Sequence, residues 1–187
     1  LGERLCNGEA NRAFTLGDNL NVTPEEFRAF SCQLLAAAHE SRDSSARSPV
    51  EFAAAFACDA LANDQLKVQD TALRTMSGAG HQHFLASMRT IAANTQPHHL
   101  HKALFAPWKY DDPVARQSLR WDPLEDSRYA LQWRDTSGDP TRRERGTMLG
   151  ANRLAIEGLP LIACAPIGET LQTVGFQGRG ARDTYWT

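Results

Sequence analysis

Residues 23–38 read TPEEFRAFSCQLLAAA, and the helical character of the first half of the chain is clearest there. Thr23 suits an N-cap, Pro24 the first helical position and Glu26 the third, which together form a capping box. The apolar side chains behind the box recur at helical spacing, and they are Phe27, Phe30, Leu34, Leu35 and Ala38. This pattern predicts an amphipathic helix with one buried stripe.

Three more helices are predicted before residue 107. A second capping box begins at Ser48 and is followed by Phe52, Phe56, Ala60 and Leu61. A further helix carries Phe84, Leu85, Met88 and Ile91, and a shorter one begins at Pro97 and ends near Phe105. Residues 1–106 are therefore expected to be mainly helical.

Residues 107–187 have a different pattern. Tyr129, Leu131 and Trp133 alternate with polar or small residues, which is typical of a strand. Residues 149–157 suit a short helix with Gly158 at its C-terminal cap. Residues 159–164 and 170–176 suit two strands joined through residues 166–168. Because helices come first and strands later, we predict an α+β fold with a small antiparallel sheet, in one domain spanning 1–187.

The composition favours a folded, cytoplasmic protein. Hydrophobic residues make up 42% of the 187 residues, the formal net charge is −2, and residues 159–165 form an apolar run too short to cross a membrane. The four cysteines form no Cys-x-x-Cys pair, so we expect buried free thiols in a reducing compartment. The first residues do not form a signal peptide, and the chain is expected to be a piece of a longer protein.

No catalytic or metal-binding motif is recognisable. The Gly-x-Ser-x-Gly and P-loop patterns are missing, and His81 and His83, like His99 and His101, are two residues apart, which places each pair on different sides of a helix. We therefore predict no catalytic residue, no metal and no cofactor. An enzyme assembled from residues distant in sequence stays an open alternative.

A glycine-containing turn precedes the third predicted helix. Ser77, Gly78 and Gly80 lie where backbone N–H groups and a helix dipole can meet an anion, and Arg74 could flank them. The alternative is a tight turn in which Ser77 caps the helix.

Aromatic residues and arginines alternate in the middle of the chain. The residues are Trp108, Tyr110, Arg116, Arg120, Trp121, Arg128 and Trp133. Such a pattern suits stacking on single-stranded nucleic acid, with Arg120 and Trp121 as the candidate contacts. It suits equally a protein interface or simple packing in the core.

Two arginine-rich segments follow. Arg142, Arg143 and Arg145 precede Arg153 on the next predicted helix, and Arg179 and Arg182 lie between glycines. Such segments bind phosphates without sequence preference. Solvated loops are the alternative.

Several blocks, taken together and in this order, resemble a family of CRISPR-associated proteins from type I-G (formerly I-U) systems, of the effector or helicase-nuclease-linked module. They are residues 71–84 (TALRTMSGAGHQHF), 103–108 (ALFAPW), 119–123 (LRWDP), 128–131 (RYAL) and 150–155 (GANRLA).

The resemblance implies a role in RNA-guided antiviral defence. The chain would be a non-catalytic component of an interference complex, with other CRISPR subunits and guide RNA or target DNA as partners. In such complexes base pairing reads the sequence, while protein supplies backbone contacts. The alternatives are a module that binds only protein, and an unrecognised enzyme.

Overall fold

The computed structural model describes residues 16–41, 48–74, 83–112, 118–119, 121–122, 146–177 and 185–186. In order, the helices are α1 (Pro24–Glu40), α2 (Ser48–Phe56), α3 (Phe84–Asn94), α4 (Pro97–Phe105), α5 (Leu149–Gly158) and a 3₁₀ helix (Leu159–Leu161). The strands are β1 (Cys164–Ile167), β2 (Thr170–Thr173), β3 (Phe176–Gln177) and β4 (Tyr185–Trp186). The predicted α+β class is confirmed. Among these helices none combines the length and hydropathy needed to cross a bilayer.

The chain divides into two compact units. The first unit consists of Leu1–Ala86 and Gly158–Thr187, and the second unit of Ser87–Glu157. The first unit is therefore built from two separate stretches of sequence, with the second unit inserted between them. That the chain forms a single domain stays a prediction.

Helix α1 begins with the predicted capping box. The Thr23 N–H donates to Glu26 Oε2 at 2.7 Å, and the Glu26 N–H donates to Thr23 Oγ1 at 3.2 Å. Phe27 and Phe30 are buried as expected, but Leu35 is exposed.

Helix α2 packs against α1 and is shorter. It has nine residues and a length of about 13 Å, whereas α1 has seventeen residues and a length of about 25 Å. The predicted stripe is therefore fully buried only at Phe27 and Phe30, although Leu35 shares the lining of a cavity with Val50 and Glu51 of α2.

Aromatic rings form the centre of the first unit. Phe52 and Phe56 on α2 have ring centroids 6.1 Å apart, and Phe56 meets Phe84 edge to face at 5.8 Å. All three are almost completely buried, which stabilises the fold by about 1.5–3 kcal/mol for each ring. Helix α2 also packs against the 3₁₀ helix and β1, so the two stretches of the first unit share this core.

The start of α3 is held by an earlier segment of the chain. Asp18 O accepts hydrogen bonds from the N–H groups of Leu85 (2.9 Å) and Ala86 (3.2 Å), and Asn19 Oδ1 accepts one from the Phe84 N–H at 3.4 Å. A helix leaves its first N–H groups without intrahelical partners. Residues 18 and 19 supply those partners here.

Strands β1 and β2 form an antiparallel hairpin, with Cys164 opposite Thr173 and Ile167 opposite Thr170. The turn uses Gly168, whose φ of 63° suits glycine. Gln69, about a hundred positions earlier in the chain, binds the hairpin through two hydrogen bonds. Its Oε1 accepts from the Leu171 N–H at 3.3 Å, and its Nε2 donates to Glu169 O at 3.4 Å.

Two sequence predictions in this region are wrong in detail. Residues 159–161 form a 3₁₀ helix, and the strand begins only at Cys164, because the chain continues from α5 into another helical turn. Gly158 has φ −79°, the right-handed conformation, so it does not end α5 as a left-handed cap. Strands β3 and β4 pair antiparallel, with Phe176 opposite Trp186. The strand predicted at residues 129–133 lies outside the described residues.

Helices α4 and α5 of the second unit approach each other closely at Gly150. A Cβ atom at Gly150 would lie 2.1 Å from the His99 carbonyl oxygen and 2.9 Å from the Ala103 Cβ. Before α5, Asp112 and Thr147 exchange two backbone hydrogen bonds, of 3.2 and 2.8 Å. A Cβ at Gly146 would overlap the Asp112 carbonyl oxygen at 1.9 Å. Both glycines are required by close approach of backbone.

We expect Gly150→Ala to destabilise the protein by about 3 kcal/mol, at the upper end for overpacking, because the obstructing atom is backbone and cannot rotate away. The matched control is Gly158→Ala, also in α5, where an added Cβ meets nothing within 4 Å and the backbone is already right-handed. Denaturant unfolding measures both. Equal stability of the two variants would contradict the packing described here.

Candidate interaction surface

An exposed apolar run ends α4 and continues beyond it. Leu104, Phe105 and Trp108 have 58%, 74% and 50% of their surface exposed, and Pro107 between them is exposed as well. These four residues are called the aromatic face. Scattered apolar side chains on a surface need no explanation, but a contiguous group of large ones is a candidate interaction surface.

Local hydrogen bonds fix the aromatic face in position. Helix α4 ends with the Ala106 N–H donating to Lys102 O at 3.1 Å, and Pro107 prevents continuation. Trp108 Nε1 then donates to Ala103 O at 2.9 Å, which ties the indole back onto the helix. The Phe105 ring lies 5.1 Å from the His101 ring. Local contacts therefore hold both rings in place.

Tyr110 closes the aromatic face on its far side. Its ring stands edge to face with Trp108 at 6.1 Å, and its hydroxyl donates to Asp122 Oδ2 at 2.6 Å. Tyr110 has φ 51°, a left-handed conformation that costs a non-glycine residue about 1–2 kcal/mol. The bend brings the chain directly from the exposed tryptophan to the Asp111–Asp112 pair.

A polar cluster connects α4 to the segments that follow it. It consists of His99, Lys102, Asp111 and Asp112 and is called the acid–base cluster. Lys102 Nζ donates to Asp112 Oδ1 at 2.9 Å and also to Asp111 Oδ1. Asp112 Oδ2 accepts from the Leu149 N–H at 2.9 Å, in the first turn of α5. A single buried carboxylate thus connects α4 to α5.

The electrostatics of the acid–base cluster agree with its geometry. The hydrogen bond to Asp111 raises the pKa of Lys102, and Lys102 in turn lowers the pKa of Asp111. Burial lowers the pKa of His99, helped by His98 and Lys102 and opposed by Asp112. His99 Nδ1 accepts from the Gln96 N–H at 2.9 Å, so the neutral ring carries its proton on Nε2, which lies 3.9 Å from Asp112 Oδ1.

The hydrogen bonds of the acid–base cluster connect segments of the fold to each other. Both carboxylate oxygens of Asp112 accept hydrogen bonds from the fold itself. Buried Asn152 adds a second link, since its Nδ2 donates to Thr147 Oγ1 at 2.7 Å and its Oδ1 accepts from the Leu119 N–H at 3.5 Å. The sequence offered one signal for the cluster: His99 and Lys102 are three residues apart and share a helix face.

Three of the predicted contacts fall on described residues. Arg74 is buried in the first unit, where its Nη2 donates to Asn19 O at 2.6 Å and its Nη1 lies 2.9 Å from Asp70 Oδ1. With only 5% of its side chain exposed it is poorly placed to meet a phosphate. In the second unit Trp121 is half-buried, and Arg153 pairs with Glu157 one turn later on α5.

The other predicted contacts lie outside the described residues. They are Ser77, Gly78, Gly80, Arg120, Arg142, Arg143, Arg145, Arg179 and Arg182. The anion site expected at the glycine turn also relied on open N–H groups at the start of α3, and those of Phe84, Leu85 and Ala86 are already bonded to residues 18 and 19. No group of three or more His, Cys, Asp or Glu in the described ranges could hold a metal ion.

The described cysteines, Cys32, Cys58 and Cys164, are free thiols, but the burial expected for them is not found, since Cys58 and Cys164 are only partly buried. Cys164 Sγ donates to Ala54 O at 3.1 Å, and burial together with Cys58 raises its pKa to about 12. A thiol with such a pKa is a poor nucleophile at neutral pH. Cys32 is exposed, although it lies within an apolar helical sequence.

Comparison of the chain with protein families, curated proteins and solved structures finds no match in any of the three. The resemblance to type I-G CRISPR proteins accordingly stays a prediction.

Asp112→Asn is expected to lower the free energy of unfolding by about 2 kcal/mol, because it leaves Lys102 and the Leu149 N–H with a weaker partner in a buried place. Asp111→Asn is the matched control: its side chain is 55% exposed against 8% for Asp112, so a change below about 1 kcal/mol is expected. Urea titrations of both variants decide the point, and similar losses would contradict the role given to Asp112.

His99 should make stability depend on pH. Its pKa in the folded protein lies below its unfolded value of about 6.5, so the unfolded chain binds the proton more tightly, and stability present above about pH 6.5 is lost as the pH falls towards the folded pKa. His99→Gln keeps an acceptor for the Gln96 N–H and cannot titrate. Denaturation across this pH range should show a shallower decline for the variant. Superimposable pH profiles would rule His99 out as a source of this dependence.

Proposed function

We propose that the chain is a non-catalytic component of a type I CRISPR RNA-guided interference complex, where it contributes contacts to the nucleic-acid backbone and to neighbouring subunits. Two kinds of support meet in this proposal. The ordered sequence blocks resemble the type I-G family. The second unit also exposes large apolar side chains at and just beyond the end of α4, namely Leu104, Phe105 and Trp108.

The aromatic face is the observation that carries the proposal. Leu104, Phe105 and Trp108 are exposed at the end of a helix that is anchored by Lys102 and Asp112, so poor packing does not account for their exposure. Each large apolar side chain moved from water into an interface stabilises the complex by about 1.5–3 kcal/mol. Trp and other aromatic residues are also typical anchors of protein interfaces.

The acid–base cluster supports a role without catalysis. His99, Lys102 and Asp112 include the residue types of an acid–base site, but the carboxylate and the ammonium are bonded to each other and to α5. A general base needs a lone pair within reach of a substrate proton. The Asp112 side chain is only 8% exposed, and its oxygens already accept hydrogen bonds from Lys102 and from the Leu149 N–H, so it is poorly placed to take a proton from a substrate.

The nucleic-acid part of the proposal relies on arginine-rich sequence. Arg142, Arg143 and Arg145, and likewise Arg179 and Arg182, provide cations that suit phosphate contacts on RNA or DNA. Arg153 contributes less on its own, since Glu157 neutralises it. A module that binds protein only is the second candidate, and the uncharged aromatic face favours it.

Replacing Arg142, Arg143 and Arg145 together by Ala should weaken binding of single-stranded RNA. Each lost phosphate contact should also make the dependence of log K on log salt shallower by about 0.7. Arg28→Ala is the control, because that exposed arginine is paired with Asp59 at 2.7 Å. Fluorescence anisotropy with labelled RNA over a series of salt concentrations measures both quantities.

Two outcomes of that titration would count against nucleic-acid contacts. One is a wild-type protein with no measurable RNA affinity at low salt, alone and within its complex. The other is a triple variant with an unchanged salt dependence. Either result would favour the protein-only module.

A further inference from the structure

We infer that Cys58 and Cys164 form a reversible disulfide when the protein meets an oxidant, and that this bond links the two separate stretches of the first unit. Both cysteines belong to that unit, but Cys58 follows α2 whereas Cys164 begins β1. Both are free thiols and only partly buried, so a small oxidant can reach them. The inference is independent of the proposed function.

The thiol of Cys164 lies at the C-terminal end of α2. A helix leaves its last four carbonyl groups without intrahelical partners, and Ala54 O is one of these in α2. Cys164 Sγ donates to this carbonyl oxygen at 3.1 Å. The contact agrees with the packing of β1 and the 3₁₀ helix against α2. The sulfur of Cys164 is therefore held within one turn of the end of the helix.

Cys58 leaves the same end of α2. The Ala57 N–H donates to Ala53 O at 3.4 Å, so the chain keeps its helical path for one residue beyond Phe56. Residues four apart lie on the same side of a helix, and Cys58 comes four residues after Ala54. Cys58 is therefore placed next to the carbonyl group that binds the other thiol.

Two further interactions agree with this neighbourhood. Burial raises the pKa of Cys164 to about 12, and the charge of nearby Cys58 adds to the effect. Cys58 Sγ accepts from the Ala60 N–H at 3.4 Å, which holds its side chain at the turn that follows α2. A disulfide requires Cα atoms within about 7 Å of each other, so formation of the bond tests this neighbourhood directly.

The reaction is a thiol–disulfide exchange with a low-molecular-weight disulfide as the oxidant. It starts at Cys58, because the raised pKa of Cys164 keeps that group a thiol at neutral pH. The Cys58 thiolate attacks one sulfur of the oxidant, whose S–S bond breaks and releases a thiolate. Cys164 then loses its proton, and its sulfur attacks the Cys58 sulfur of the mixed disulfide, which releases the second half of the oxidant. Two protein thiols are thereby oxidised to one disulfide, and the oxidant is reduced to two thiols that carry the two protons.

The disulfide would join residues that are far apart in the chain. It closes a loop of about a hundred residues that contains the whole second unit, so it restricts the unfolded chain strongly. The hydrogen bond from Cys164 to Ala54 O is lost, but Ala54 is exposed and its carbonyl can bind water instead. The oxidised protein is therefore expected to be more stable than the reduced one.

The test uses the folded full chain, which is reduced and then incubated with oxidised glutathione. Remaining thiols are alkylated, and the peptides of a tryptic digest are identified by mass spectrometry without reduction. Because trypsin cleaves after Lys and Arg, each of the four cysteines lies in a peptide of its own, namely 5–12, 29–42, 48–67 and 154–179. Cys58→Ser and Cys164→Ser are the variants. Cys32→Ser is the control, since Cys32 is exposed on α1.

We expect peptides 48–67 and 154–179 to be linked in the wild type and in Cys32→Ser, and the link to be lost in Cys58→Ser and in Cys164→Ser. Oxidation should raise the midpoint of thermal unfolding by about 10 °C in the wild type and the control, and in neither of the other two variants. The wild type alone decides the pairing, so a variant that misfolds does not obscure it.

Three results would overturn the inference. The first is a wild-type chain in which peptides 48–67 and 154–179 stay alkylated or carry separate glutathione adducts. The second is a link from either of them to peptide 5–12 or 29–42. The third is the expected link without a rise in the unfolding midpoint, which would refute the stabilising role. None of these results bears on the proposed function, which does not use the cysteines.

Discussion

Asp112 accepts hydrogen bonds on both carboxylate oxygens, from Lys102 of α4 and from the first turn of α5. Its backbone pairs with the backbone of Thr147. Its carbonyl oxygen lies so close to Gly146 that a side chain at position 146 would overlap it. The residue therefore fixes two segments that are 37 positions apart to each other. A buried negative charge is tolerated there because an ammonium group and a helix N-terminus both compensate it.

The position of the aromatic face follows from this anchor. Lys102 lies three residues before Phe105 on α4, so the two side chains leave the helix in similar directions. The hydrogen bond between Lys102 and Asp112 therefore also orients Phe105. Gly150 allows α5 to lie directly against the backbone of α4. The aromatic face therefore lies at a helix end that is packed against α5.

Much of the fold could be predicted from local signals. The capping box at Thr23 and Glu26, the prolines that begin α1 and α4, and the apolar spacing of α3 all act within a few residues, and the structure has each of them. Other features depend on parts of the fold that local signals do not reveal. Leu35 belongs to a correct helical stripe, but it borders an open cavity between α1 and the start of α2. Nothing in the sequence around Asp112 marks that residue, because Leu149, whose N–H meets its carboxylate, lies 37 positions away. Arg74 has the side chain of a phosphate contact, yet Asn19 and Asp70 hold it inside the first unit.

The hairpin of the first unit has a consequence for the order of folding during synthesis. Its β2 strand binds Gln69 and Ala72 through hydrogen bonds that span about a hundred residues. The ribosome therefore completes the whole inserted second unit before the strands that finish the first unit have been translated. The aromatic core around α2 stays partly uncovered until Leu159 and the hairpin have been synthesised. The second unit, in contrast, is one continuous stretch of sequence and can fold as soon as that stretch is complete. Contacts between residues far apart in sequence form slowly, so the first unit exposes its apolar core for longer during synthesis than the second unit does.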